Sequence, residues 1–117
     1  LFSESDILSI HVPLTDLSRG WVTAREFGLM KDSAFLVNTS RGPIVDEGAL
    51  ISALSSGQIA GAALDVYDVE PVRVDHPLLK LDNVLLAPHL GYSTVSTIQV
   101  FMEQSLENVR GWLAGRG

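Results

Sequence analysis

His89 combines a reactive side chain with a position just beyond an apolar run, between Pro88 and Leu90-Gly91. Histidine exchanges protons near neutral pH, which makes it the natural acid-base residue at that point. A rigid proline before it and a permissive glycine after it could fix the imidazole outside a sheet. The alternative is a loop histidine that caps a helix or packs on its neighbour, and His89 alone leaves both interpretations open.

Glu70 is the candidate partner of such a histidine, because it lies five residues after Asp65 on the loop before the histidine strand. A carboxylate hydrogen-bonded to an imidazole holds its tautomer and favours its protonated form. The alternative is a solvated acid in an acidic loop that also contains Asp68 and Asp75. Acidic loop residues are mostly exposed, so the residue type alone favours this alternative.

Arg41 is followed by Gly42 and Pro43. Its planar guanidinium could bind a carboxylate bidentately and polarise a carbonyl next to it, and an acid oriented in that way suits a hydride donor. The alternative is a surface salt bridge, for example to Asp46, which would contribute little stability.

Other common site patterns are missing from the sequence. His11, His76 and His89 show no H-x-H or H-E-x-x-H spacing, so no metal site is expected. There is no G-x-S-x-G elbow for a nucleophilic serine. A G-x-G-x-x-G loop or P-loop, which would hold phosphates, is also missing from these residues.

Strand and helix patterns alternate along the chain. β-rich apolar runs predict strands at 7–12, 34–37, 58–66 and 84–87. Helices are predicted at 23–30, at 47–56 behind an Asp46 cap, at 78–81, and from Ser93 or Thr94 to Leu113. This order predicts an α/β fold with part of a doubly wound parallel sheet.

Ligands bind such sheets beyond the carboxyl ends of the strands. The loops at those ends are 38–45, 65–77 and 88–92, and they carry Arg41, Asp65, Glu70 and His89. The topology therefore predicts that the three candidate residues share one site.

Composition narrows the class of protein. With 46% hydrophobic residues, the chain is expected to fold as a compact unit or nearly so. A net charge of -6 argues against nucleic acid or an anionic membrane as main partner.

The absence of cysteine fits a reducing compartment, so a cytoplasmic location is expected. Residues 83–102 lack charged side chains but contain Pro88 and His89, which makes them a poor membrane span. The start at Leu1, without Met or a leader, suggests a fragment.

Seven ordered motifs resemble the D-2-hydroxyacid dehydrogenase family, which includes D-3-phosphoglycerate dehydrogenase. They are HVPLT (11–15), MK (30–31), NTSRGPIVDEGAL (38–50), GAALDVYDVEP (61–71), HPL (76–78), NVLLAPHLG (83–91) and EN (107–108). The resemblance covers nearly the whole chain. Its most specific part is the ordered set of SRG, DV with EP, and PH-x-G.

The resemblance implies a Rossmann-like NAD(P)-binding domain that pairs with a substrate domain, in a homodimer. It implies hydride transfer between NAD, with NADP left open, and C2 of a small 2-hydroxy or 2-oxo acid. The family's catalytic residues fall on Arg41, Glu70 and His89. Asp65 would lie near the nicotinamide carboxamide, and Pro13 near the adenine. The implied cofactor residues are Pro13, Thr39, Ser40, Arg41, Asp65, His89, Leu90, Gly91 and Tyr92.

Two departures from the family pattern matter. Tyr92 stands where many members have a second glycine, which could change the pocket beside His89. The family's Gly-rich loop and most of its substrate domain are missing. Residues 1–92 would then be the later half of the cofactor domain, and 93–117 a helix leading towards the substrate domain. Such a fragment is expected to be inactive alone. The alternative function is a cofactor-sensing scaffold or corepressor-like relative without catalysis.

Overall fold

A four-stranded parallel sheet forms the centre of the computed structural model, which describes residues 1–116. The strands lie in chain order and are β1 (Ile7–Ile10), β2 (Phe35–Asn38), β3 (Gly61–Leu64) and β4 (Val84–Leu86). Parallel neighbours need crossover connections. The first two crossovers contain the helices α1 (Ala24–Phe27) and α2 (Glu47–Ser55). The predicted parallel α/β sheet is confirmed.

The strands end level at one edge of the sheet. Asn38, the last residue of β2, pairs with Ile10 of β1 and Leu64 of β3, and Leu64 pairs with Leu86 of β4. Because all four carboxyl ends meet there, the loops after β2, β3 and β4 leave the sheet side by side.

Capping side chains fix where the first two helices begin. Thr23 and Glu26 form a reciprocal capping box at the start of α1. Asp46 accepts a hydrogen bond from the Ala49 N–H at 2.9 Å and so caps α2. Short 3-10 helices occupy Gly42–Ile44 and Pro77–Lys80.

Several predicted boundaries were wrong by a few residues. β1 ends at Ile10 and not at 12, and β3 spans Gly61–Leu64 and not 58–66. A strand extends only as far as its neighbour pairs with it, and β2 has four residues. β2 itself begins one residue late because the Ala34 N–H bonds to Lys31 O in a turn. α1 ends at Phe27 and not at 30.

The core lies around the sheet and under the loops that follow it. Its most completely buried apolar side chains come from the helices, strands and loops alike: Phe27, Leu36, Ile44, Ile59 and Leu78. Ile44 and Leu78 lie in the two 3-10 helices, so the loops at the carboxyl edge are anchored in the core.

The helix α3 (Val95–Leu113) has no buried residue. Thr94 caps it by accepting from the Thr97 N–H at 3.1 Å. The predicted apolar face is helical, but its side chains are 42% to 71% exposed: Ile98, Phe101, Met102, Leu106, Val109 and Leu113. The prediction of one compact unit is therefore wrong for α3, because helical spacing does not reveal whether a partner is present. Across residues 1–116, no helix is both long and apolar enough to span a membrane.

Candidate active site

Arg41 lies on a loop that the end of β2 holds in shape. The buried Asn38 side chain donates to Arg41 O and accepts from the Ser40 N–H, both at 3.0 Å. The Ser40 hydroxyl donates to Val12 O, which ties the loop to the segment after β1. The Arg41 guanidinium is exposed and donates to Ser40 O at 2.6 Å. Within residues 1–116 it forms no salt bridge, so the predicted alternative of an ion pair with Asp46 is not realised.

Gly42 brings the Arg41 loop into direct contact with the loop after β3. A Cβ atom at Gly42 would lie 2.0 Å from the carbonyl carbon of Tyr67 and 2.5 Å from the amide nitrogen of Asp68. Backbone atoms cannot move aside as a flexible side chain can. The Tyr67-Asp68 peptide therefore lies directly on a residue that must be glycine, one position from Arg41.

Glu70 is held by two donors. Its Oε1 accepts from the Tyr67 N–H at 2.9 Å, and its Oε2 lies 2.6 Å from His89 Nδ1. The two paired side chains are each 35% exposed. The pKa of Glu70 lies below its ordinary value of 4.5, chiefly because His89 hydrogen-bonds to the carboxylate. The Tyr67 N–H and the charge of Arg41 lower this pKa further, and burial acts against them. Glu70 is therefore ionised at neutral pH.

Asp65 holds the backbone that carries His89. Its buried carboxylate accepts from the Leu90 N–H through Oδ1 and from the Gly91 N–H through Oδ2, both at 2.8 Å. His89 itself has a φ of +56°, which is uncommon for a residue other than glycine. A Cβ atom at Gly91 would lie 2.9 Å from Asp65 Oδ2, so glycine allows this close approach. The turn directs Nδ1 of the imidazole to Glu70, and within residues 1–116 Nε2 makes no hydrogen bond.

Two cavities meet at His89. The polar cavity, of about 490 Å³, is lined by Thr39, Arg41, Asp65, His89, Gly91 and Tyr92. The apolar cavity, of about 530 Å³, lies beside Glu70 and is lined mainly by prolines and aliphatic side chains. His89 lines both cavities, and Tyr92 meets its imidazole edge-on with 6.0 Å between ring centroids.

Six of the nine residues predicted to contact the cofactor line the polar cavity. Ser40 and Leu90 do not line it, although each is adjacent in sequence to a lining residue. Pro13 lies in a different cavity, with Val12 and Trp21. The structure thus brings the nicotinamide-side candidates together and places Pro13 apart from them.

The polar cavity has the size and chemistry of a small-molecule site. Thr39 and Arg41 contribute hydrogen-bond donors to its lining, and His89 contributes an imidazole. These groups fit the nicotinamide end of a dinucleotide, but the sequence has no Gly-rich loop for its phosphates. No cluster of three metal-ligating side chains occurs in residues 1–116.

Two residues that organise the site were not singled out from the sequence. Tyr67 is buried, and its hydroxyl donates to Ala87 O at 2.8 Å, joining the loop after β3 to the end of β4. A buried aromatic residue within an acidic loop was the available signal. His76 hydrogen-bonds to Glu47 of α2, whereas the sequence showed it only in the HPL motif and as one of three histidines without metal-site spacing.

The chain matches a known protein family and known relatives. Residues 1–91 match the family model for the D-isomer specific 2-hydroxyacid dehydrogenases, NAD binding domain. A glyoxylate reductase from Aeropyrum pernix is 49% identical over 116 residues, which are 99% of this chain and 35% of that protein. The chain thus spans about a third of the length of the curated relatives it matches.

Solved structures give the same result. A phosphoglycerate oxidoreductase from Vibrio cholerae superposes with a TM-score of 0.90 at 40% identity, over 97% of this chain and 36% of that one. The NAD complexed form of a D-isomer specific 2-hydroxyacid dehydrogenase from Lactobacillus delbrueckii superposes with a TM-score of 0.85 at 31% identity, over 99% and 39%. The family predicted from the ordered motifs is confirmed: the chain belongs to the D-isomer specific 2-hydroxyacid dehydrogenases and corresponds to part of their NAD-binding domain.

Proposed function

We propose that the complete protein containing this chain transfers a hydride between NAD(P)(H) and C2 of a 2-hydroxy or 2-oxo acid. The observation that carries the proposal is the 2.6 Å contact between His89 Nδ1 and Glu70 Oε2, at the wall of a cavity that Arg41 also lines. Carbonyl reduction of an anionic substrate requires an acid-base residue and a cation that binds the substrate. An ionised carboxylate hydrogen-bonded to the acid-base residue supports its protonated form.

His89 is proposed to move the proton. With Nδ1 engaged by Glu70, Nε2 is the nitrogen left to serve a substrate oxygen. In the reducing direction Nε2 gives a proton to the carbonyl oxygen, and in the oxidising direction it takes the proton from the hydroxyl. The Glu70 carboxylate orients the ring and balances the positive charge that the imidazole carries when protonated.

Arg41 is proposed to hold the substrate. Its guanidinium is exposed at the polar cavity and could bind a carboxylate through two parallel hydrogen bonds. Holding the acid in this way would fix its C2 carbonyl relative to His89. A bound nicotinamide cofactor would supply the hydride chemistry at that carbon, donating in its reduced form and accepting in its oxidised form. Thr39, Arg41, Asp65, His89, Gly91 and Tyr92 are the residues that would surround its nicotinamide.

The proposed substrate is a small 2-oxo acid, and glyoxylate is the first to test because relatives such as that of Aeropyrum pernix bear the name glyoxylate reductase.

We further propose that residues 1–92 form the later half of the cofactor domain and that 93–117 lead to a substrate domain, in a homodimer. Two exposed surfaces support the division. β1 is an edge strand with Ile7 and neighbouring Trp21 67% and 59% exposed, and α3 has no buried residue. The isolated 117 residues are then expected to be inactive.

The test is NADH oxidation by the complete protein with a panel of 2-oxo acids. His89→Gln should lower kcat by roughly a thousandfold, the range expected for loss of a general acid-base group. His11→Gln is the matched control, because His11 is an exposed histidine whose side chain hydrogen-bonds to the Ser9 hydroxyl at 2.8 Å and lines neither cavity at His89. Unchanged turnover in His89→Gln would rule out the assignment. Tight NADH binding by the wild type without turnover of any 2-oxo acid would favour the cofactor-sensing alternative.

A further inference from the structure

The segment that carries Glu70 is exposed and needs anchoring. Residues 68–75 are exposed except for Val72, which packs against the core, and the side-chain ion pair between Arg73 and Asp75 holds the segment only to itself. At its start the segment is fixed by Tyr67 and by the contact between Glu70 and His89. The position of Glu70 therefore also depends on how the segment is held where it returns to the body.

At that return the buried Leu78 anchors the chain in the core, and His76 adds a polar anchor two residues before it. Its Nδ1 accepts a hydrogen bond from the Leu78 N–H at 3.3 Å, which caps the 3-10 helix Pro77–Lys80. A nitrogen that accepts carries no proton, so the proton of the neutral ring is on Nε2. That N–H donates to Glu47 Oε1 at 3.1 Å. The hydrogen bonds thus define the tautomer, and both ring nitrogens have a partner.

Glu47, the residue that His76 contacts, lies on the helix that follows the Arg41 loop. Glu47 is the first residue of α2, and the chain from Arg41 to α2 is a single short turn that carries Gly42. The His76 and Glu47 side chains are 18% and 24% exposed, so water competes with their hydrogen bond less than at an open surface. One contact therefore joins the Glu70 segment to the helix directly after the Arg41 loop.

We propose that His76 and Glu47 form a latch that positions Glu70 against His89, so that His76 is a positioning residue of the proposed dehydrogenase site. The inference rests on the proposed function for its catalytic consequence. Its structural consequence, the placement of the Glu70 carboxylate, can be measured without turnover.

Two variants of the complete protein open the latch in different ways. Glu47→Ala removes the acceptor. His76→Asn keeps an oxygen that can accept the Leu78 N–H and removes the ring that reaches Glu47. Each should lower kcat roughly three- to tenfold, and the double variant should be no worse than the poorer single one, because both break the same contact. Glu47→Gln keeps an acceptor oxygen and should restore most of the activity.

The pKa of the Glu70 carboxyl, followed by NMR, is the readout that a merely structural effect would not move. It should rise towards 4.5 in Glu47→Ala and in His76→Asn, because a loosened segment weakens the contact with His89 that lowers it. Lys31→Ala is the control. It breaks an ion pair with Asp6 of 2.7 Å, remote from the site, and should leave both kcat and this pKa unchanged.

The inference is overturned if folded Glu47→Ala and His76→Asn, checked by circular dichroism, keep the wild-type Glu70 pKa, whether or not kcat falls. If the wild type turns over no 2-oxo acid, the proposed function fails, and the Glu70 pKa in the two variants still decides the latch.

Discussion

The sheet with its loops and the helix α3 place their apolar side chains in different environments. In the sheet, apolar side chains such as Leu36 and Ile44 are fully buried, and the loops that carry Arg41, Glu70 and His89 are linked by hydrogen bonds and by a glycine contact. In α3 every apolar side chain is exposed. The first region builds its site from its own residues, whereas the second has an apolar face that these residues leave uncovered.

The largest effect that tests this contrast is expected in the sheet core. Leu36→Ala should lower the free energy of unfolding of the chain by about 3 kcal/mol, because it leaves a cavity at a fully buried position of β2. Phe101→Ala, at a side chain that is 50% exposed on α3, should cost less than about 0.5 kcal/mol. Urea unfolding of both variants measures the difference.

An equal cost for the two substitutions would mean that α3 is covered in solution and would remove the contrast. The same Phe101→Ala substitution in the complete protein tests the contrast further. If a substrate domain or a second subunit covers α3, the cost there should exceed the cost in the isolated chain.

The next effect concerns how the loops are held together. Gly42→Ala should cost about 2 kcal/mol, because a Cβ atom would lie 2.0 Å from the Tyr67 backbone and the two loops would have to separate. Gly48→Ala on α2 is the matched control. Its Cβ would meet nothing closer than Asp46 Oδ1 at 3.4 Å, and helix propensity favours alanine, so the variant should be as stable as wild type or more so.

Chemical denaturation of the two variants measures the difference between crowded and open glycines. Should Gly42→Ala be as stable as Gly48→Ala, the Arg41 and Glu70 loops would not be in the close contact described.

The sequence predicted the fold well wherever an apolar pattern packs against other residues of the same chain. The apolar runs identified four strands, and the caps at Asp46 and Thr94 set the starts of α2 and α3. Asn38 was expected in a loop, because a polar residue after an apolar run resembles a loop start. It belongs to β2 because its side chain finds buried partners in the Ser40 and Arg41 backbone.

The site was predictable as a set of residues and not as a set of contacts. Loop order placed Arg41, Glu70 and His89 at one sheet edge, and family motifs suggested their roles, which stay predictions. Contacts made through the backbone, such as Tyr67 N–H with Glu70 or Gly42 with the Tyr67 peptide, leave little trace in residue type. The reach of His76 to Glu47 depends on tertiary geometry across 29 positions of sequence.

The smallest expected effect is on the pH dependence of stability, to which Glu70 and Asp68 in the loop after β3 contribute with opposite signs. The pKa of Glu70 is lowered in the fold, so its contribution to stability is complete above 4.5 and is lost as pH falls through the folded value. The pKa of Asp68 is raised from 3.8, by burial and then by the carboxylates of Glu47 and Asp46. Its contribution has the opposite sign: ionised Asp68 weakens the fold, and stability is lost as pH rises through the folded value.

Unfolding free energies of wild type, Glu70→Gln and Asp68→Asn from about pH 7 to 3 test both signs. Glu70→Gln should be the less stable chain at neutral pH, and its deficit should shrink as the solution is acidified. Asp68→Asn should be more stable than wild type at neutral pH, and that advantage should also shrink on acidification. Two differences of the same sign at neutral pH would contradict the charge arrangement. The Glu70 carboxylate accepts a hydrogen bond from the His89 imidazole at 2.6 Å, whereas burial and the charges of Glu47 and Asp46 oppose ionisation of Asp68 more than Arg19 and His76 favour it.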